Sequence, residues 1–128
     1  MESVHDFIKR KNKQFEQELN NNKLVSVKDI GREGKLKFIR EKWYFLPASN
    51  LPKAKVFIIE KLRKVKSEGK LAYQKSWKEG EIEYRVGYFI VGRIGRAKGK
   101  WVWGQFCPII PANDLKNIIK RVKMMETK

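Results

Sequence analysis

From Ile82 to Ile94 the chain alternates. Ile82, Tyr84, Val86, Tyr88, Ile90 and Ile94 occupy even positions, while the odd positions begin with Glu81, Glu83 and Arg85 and turn apolar at Phe89 and Val91. Successive side chains of an extended chain point to opposite faces, so this pattern predicts a strand. Apolar residues on both faces near its middle place that strand in the interior of a sheet. A turn at Lys78-Glu79-Gly80 leads into it, and Leu71, Tyr73 and Trp77 mark an extended segment upstream. Downstream, Gly95-Arg96-Ala97-Lys98-Gly99 predicts a hairpin to a return strand from Trp101 to Cys107, stopped by Pro108 and Pro111.

The flanks supply the other elements. Val4, Phe7, Ile8, Phe15 and Leu19 recur at helical spacing behind a Ser3 N-cap, with a gap in the apolar stripe at Lys11 and Asn12, and Asn20 to Asn22 end the helix. Leu24 to Val27, Lys35 to Ile39 and Trp43 to Leu46 read as short strands, the last two joined by a turn at Arg40-Glu41-Lys42. After a loop from Pro47 to Pro52, Leu51, Ala54, Ile58, Leu62 and Val65 follow at steps of three or four, predicting a helix capped by Asn50 and stopped by Gly69. Val56 to Glu60 also reads as a β-branched run, the strand alternative for the same stretch. A final helix capped by Asn113 or Asp114 would bury Leu115, Ile118, Ile119 and Val122 and expose Lys116, Lys120, Arg121 and Lys123.

These elements predict an α+β fold, an antiparallel sheet of about four to six strands with helices packed mainly on one face. The 128 residues suit one domain, with residues 1–22 a loosely docked or oligomerising helix and residues 24–125 the α+β body. From Asn50 onward the order helix, three strands, helix resembles the layout of the double-stranded-RNA-binding domain. That family's Gly-Pro loop is missing here, and Asn113-Asp114 stands where it has a lysine cluster.

Charge is the strongest functional signal. Thirty Lys and Arg face fourteen Asp and Glu, a formal net charge of +16. Gathered on one face, this excess attracts nucleic acid or an acidic protein at a range set by salt. Spread evenly, it is a lysine-rich surface that serves solubility. Arg93, Arg96, Lys98 and Lys100 decorate the glycine-rich hairpin with no acidic residue among them, a tip suited to phosphates. Arg63, Lys64 and Lys66 form a second concentration, and the two would make one continuous positive surface if they share a side. Trp101 and Trp103 point to one face beside Lys100, where a ring could stack a base or complete the core.

Catalytic signals are weak by comparison. His5 is the only histidine and Cys107 the only cysteine, so neither a two-histidine metal site nor an intramolecular disulfide is available. The lone thiol between Phe106 and Pro108 reads as a core residue and suits a reducing cytoplasm. Glu81 and Glu83, two apart beside Arg85, read as a charge ladder rather than an acid-base pair. Gly92, Gly95 and Gly99 precede no helix, so they read as turn residues rather than a phosphate-cradling loop before one. No apolar run is long enough for a membrane span or a signal peptide. The resulting expectation is a cytoplasmic, non-enzymatic nucleic-acid-binding domain without metal or cofactor. A protein-interaction or oligomerisation module with a lysine-rich surface is the alternative.

Overall fold

The computed structural model describes residues 1–28, 34–69, 78–104 and 107–126. In chain order these form α1 (Val4–Asn20), β1 (Leu24–Lys28), β2 (Lys35–Pro47), β3 (Lys55–Glu68), β4 (Ile82–Val91), a short 3-10 helix (Gly95–Ala97), β5 (Trp101–Trp103), β6 (Ile109–Pro111) and α2 (Ala112–Glu126). The strands make one curled antiparallel sheet in the order β1-β2-β3-β4-β5, with β6 also paired to β4. This is the expected α+β architecture, with β4 in the sheet interior. The segment containing Leu71, Tyr73 and Trp77 lies outside the described residues.

The core forms where α1 crosses the inner face. Phe7 and Phe15 of α1 are buried against Phe45 of β2, Val56 and Ile58 of β3 and Phe89 of β4. Phe7 stacks on Trp101 at 4.6 Å between ring centroids and meets Phe89 edge-on at 5.1 Å. Ser3 caps the helix as expected, its Oγ accepting the Asp6 N–H at 3.1 Å. The gap in the apolar stripe has a physical filling. The Lys11 ammonium lies 5.3 Å from the Phe89 centroid, and the Asn12 side-chain oxygen accepts the Trp43 indole N–H at 2.8 Å. Two polar side chains thus serve the interface where apolar ones are missing.

Two sequence expectations for the centre are overturned. Residues 55–68 are a strand, not part of a helix, and with the helix goes the likeness to the double-stranded-RNA-binding layout. Ala54, Ile58 and Leu62 are spaced by four, which keeps residues near one face of a helix but also on one face of a strand. The inward row of β3 is Val56, Ile58, Glu60, Leu62 and Lys64, so two charged members hide the alternation. Likewise, no turn separates Lys35–Ile39 from Trp43–Leu46. They form one strand with a bulge, Arg40 pairing with Leu62 and Lys42 with Lys61 while Glu41 is left over. The bulge changes phase, so Phe38 and Arg40 before it and Trp43 and Phe45 after it all face inward.

The stripe of α2 is a third correction. Ile118, Ile119 and Val122 are 49%, 45% and 48% exposed, and only Ala112 and Leu115 are half-buried. The helix leaves directly from β6, three residues long, and its main contacts with the sheet are to β4 and β6. Its length therefore extends past the surface that could cover it.

Candidate nucleic-acid interface

The connection between β4 and β5 is a tight knob. The Gly92 N–H donates to the Lys100 carbonyl at 2.9 Å and the Gly99 N–H to the Gly92 carbonyl at 3.0 Å. Gly95 and Gly99 have φ of 61° and 75°, the left-handed region that glycine adopts without strain. Arg93, Arg96, Lys98 and Lys100 all project from this knob into solvent, and none is ion-paired among the described residues.

The loop before β3 joins them. Ala54 accepts the Val91 N–H at 2.9 Å through its carbonyl, and Lys55 pairs with Ile90, so Lys53 and Lys55 flank the hairpin base. These two lysines were not among the residues singled out from sequence. Their signal was available: residues 42–59 and 84–113 contain no Asp or Glu, and the fold lays these stretches side by side. One end of the sheet therefore gathers six cations without a carboxylate in either segment.

Arg63, Lys64 and Lys66 do not join this group. Arg63 pairs with Ile82, at the opposite end of β4, and Lys66 lies up to roughly 35 Å of strand from the hairpin end. Each also has an acidic neighbour. Arg63 donates from Nε to Glu41 at 2.7 Å and from Nη1 to the Gly80 carbonyl at 2.9 Å. That guanidinium holds the Glu41 carboxyl below its ordinary range, and the carboxylate raises the Arg63 pKa in turn. Lys64 faces inward, 7% exposed, with its Nζ 3.5 Å from both Glu81 and Glu83. Lys66 is exposed and lies 3.5 Å from Glu68.

Trp101 and Trp103 share the inner face, as their spacing implied. Trp101 is packed under α1, its indole N–H donating to the Glu2 carbonyl at 2.9 Å. Trp103, 38% exposed, meets Phe89 edge-on at 4.7 Å and carries the Arg85 guanidinium 4.9 Å from its centroid. The aromatic residues of the outer face are others. Leu46, Phe57 and Tyr88 form one cross-strand row on β2, β3 and β4, and Tyr44, Ile59 and Val86 form the next. Tyr44 is 66% and Phe57 39% exposed. The even positions of β4 are thus its outer side, and the charged odd positions point in.

Those inward charges build a second polar cluster. Glu60, 1% exposed, accepts from Arg40 Nε at 2.7 Å and from Arg85 Nε and Nη2 at 2.6 and 3.0 Å. Arg40 also donates to Glu18 at 3.0 Å. Burial acts to raise the Glu18 pKa, but the Gln14 amide and the Arg40 charge outweigh it and leave the carboxyl below its ordinary value. No buried side-chain N or O among the described residues lacks a partner. The Glu60 carboxylate is thus taken up by Arg40 and Arg85, as a structural tie between strands.

Other candidate chemistry is equally quiet. His5 is exposed on α1, and the half-buried Cys107 thiol lies 3.5 Å from the Gly104 carbonyl. Among the described residues no group of three or more His, Cys, Asp or Glu could hold a metal ion, and no helix is long and apolar enough to cross a membrane. No protein-family model matches the chain, and no curated protein or solved structure shows significant similarity to it.

Proposed function

We propose that the protein is a non-enzymatic nucleic-acid-binding domain that grips phosphates with Arg93, Arg96, Lys98 and Lys100, assisted by Lys53 and Lys55. The observation that carries this reading is the gathering of six cations at one end of the sheet, none of them ion-paired with an acid among the described residues. Cations without an ion-paired carboxylate lose little when they neutralise phosphate, and the glycines let the backbone approach a strand closely. Arg63, Lys64 and Lys66, each beside its own carboxylate, stand outside the proposed contact set. A cytoplasmic setting goes with this reading, since the single cysteine favours a reducing compartment.

Fluorescence anisotropy with labelled single- and double-stranded DNA and RNA, at low and near-physiological salt with heparin as competitor, tests the reading. Retained binding that Arg96→Glu with Lys98→Glu abolishes supports it. Binding indifferent to those changes, or lost entirely at physiological salt, removes it.

A second reading, self-association, draws on α2. Ile118, Ile119, Val122, Met124 and Met125 leave an apolar surface in solvent along most of the helix. A discrete oligomer in high salt by light scattering, returned to monomer by Ile118→Glu with Val122→Glu, would favour it.

A further inference from the structure

We infer that the outer face of the sheet is a stacking platform for a single-stranded segment of nucleic acid, with the exposed rings of Tyr44 and Phe57 receiving bases beside the half-buried Tyr88. The inference rests on the phosphate-binding reading above and adds the form of nucleic acid recognised. Phe57 and Tyr88 are direct cross-strand partners, and Tyr44 sits diagonally from Phe57, one row along and one strand over. Such diagonal neighbours stand about 7–8 Å apart, within reach of one another's rings.

The arrangement of charge identifies the occupant. Outward positions of residues 42–46, 55–61 and 84–90 hold Lys42, Lys55 and Lys61 and no carboxylate. Lys55 and the hairpin cations flank the rings at one end, and Lys42 flanks them at the other, beside Lys61, whose ammonium lies 3.8 Å from the Glu41 carboxylate. A strand laid along this face meets cations at both ends and aromatic surface between them, the combination that binds single strands with little sequence preference. The Lys55 ammonium already stands 4.9 Å from the Phe57 centroid and 4.7 Å from that of Tyr88. There it can pair with a phosphate next to a stacked base. A duplex keeps its base faces inside its own stack, so it can use the cations but not the rings.

The experiment compares fluorescein-labelled oligouridylate, oligothymidylate and an RNA duplex of matching length on the full chain at near-physiological salt. Both single strands should bind more tightly than the duplex, and the difference between the two reports any use of the ribose 2′-hydroxyl. Tyr44→Ala and Phe57→Ala should each weaken single-strand binding by about tenfold while leaving duplex binding unchanged. Tyr44 is the more exposed of the two, so its variant keeps the test open if Phe57→Ala disturbs the sheet, as thermal melting would reveal. Wild-type single-strand affinity in the folded variants, or a duplex bound as tightly as a single strand, overturns the platform. If Arg96→Glu with Lys98→Glu still abolishes binding in that case, the phosphate reading stands without it. If that variant also binds normally, both readings fall.

Discussion

Glu60 of β3 and Arg85 of β4 face each other across the sheet, joined by two hydrogen bonds from one guanidinium to one carboxylate. Arg40 reaches the same carboxylate from β2, so Glu60 ties three neighbouring strands through a single buried group. Removing one partner from such a cluster strands charges in a site already withdrawn from water. Glu60→Ala should cost about 3–5 kcal/mol, measured by urea denaturation. Replacing Arg40, Glu60 and Arg85 together by apolar residues of similar volume should cost less than the single change. Equal or greater loss in the triple variant would mean that the pairing itself, rather than the avoidance of lone charges, sustains the sheet.

Acid should act on the link between α1 and the sheet. Glu18 lies below its ordinary value of 4.5 in the folded protein. A depressed carboxyl contributes its stability in full above the unfolded value and loses it as pH falls through the folded one. Denaturation midpoints of the native protein and Glu18→Gln should therefore differ by a constant amount above about pH 5.5 and converge in stronger acid. A gap that persists unchanged into acid would assign the effect of the substitution to packing instead.

Salt dependence offers a count of the hairpin contacts. Four phosphates neutralised on a single strand give a slope of log K against log salt of about −3. Arg96→Ala and Lys98→Ala should each flatten that slope by about 0.7. A slope that does not respond to either substitution would place the phosphates elsewhere on the surface.

Gly87 leaves the space that Trp103 occupies. A Cβ built on Gly87 would stand 2.6 Å from the Trp103 ring and 2.8 Å from the Cys107 sulfur, closer than real atoms approach. Gly87→Ala should destabilise the fold by about 1–3 kcal/mol as the indole is displaced. Urea denaturation gives the loss and tryptophan emission the displacement. An unchanged spectrum and midpoint would show that Trp103 does not need this seat.

The elements easiest to read from sequence were those whose pattern had one interpretation. The alternation at 82–91 defined β4, and Ser3 with its following stripe defined α1. β3 was harder because its buried row includes Glu60 and Lys64, whose burial depends on partners far away in sequence: Arg40, Arg85, Glu81 and Glu83. A charged residue carries no local sign that it will point inward. The exposure of α2 was hidden for the converse reason, since an apolar stripe shows what a helix could bury and not whether a surface is there to receive it. At the candidate site, the hairpin cations were visible as a run, whereas Lys53 and Lys55 joined them only through strand pairing. Phe57 and Tyr88 became neighbours by the same route.

The bulge at Glu41 has a consequence for how this chain can vary. Because that residue stands outside the alternation, the two halves of β2 are set in opposite parity. Deleting it would bring the pairs Arg40–Leu62 and Lys42–Lys61 into direct succession, leaving Trp43 and Phe45 facing Phe7 and Phe15 and Tyr44 and Leu46 facing out on a strand without the bulge. The bulge is thus a spare position in the frame, and what it carries is the Glu41 carboxylate beside Arg63 and Lys61. Deletion of Glu41 should therefore leave the core row in place and remove only its ion pairs to Arg63 and Lys61, which thermal melting of the deletion variant would check.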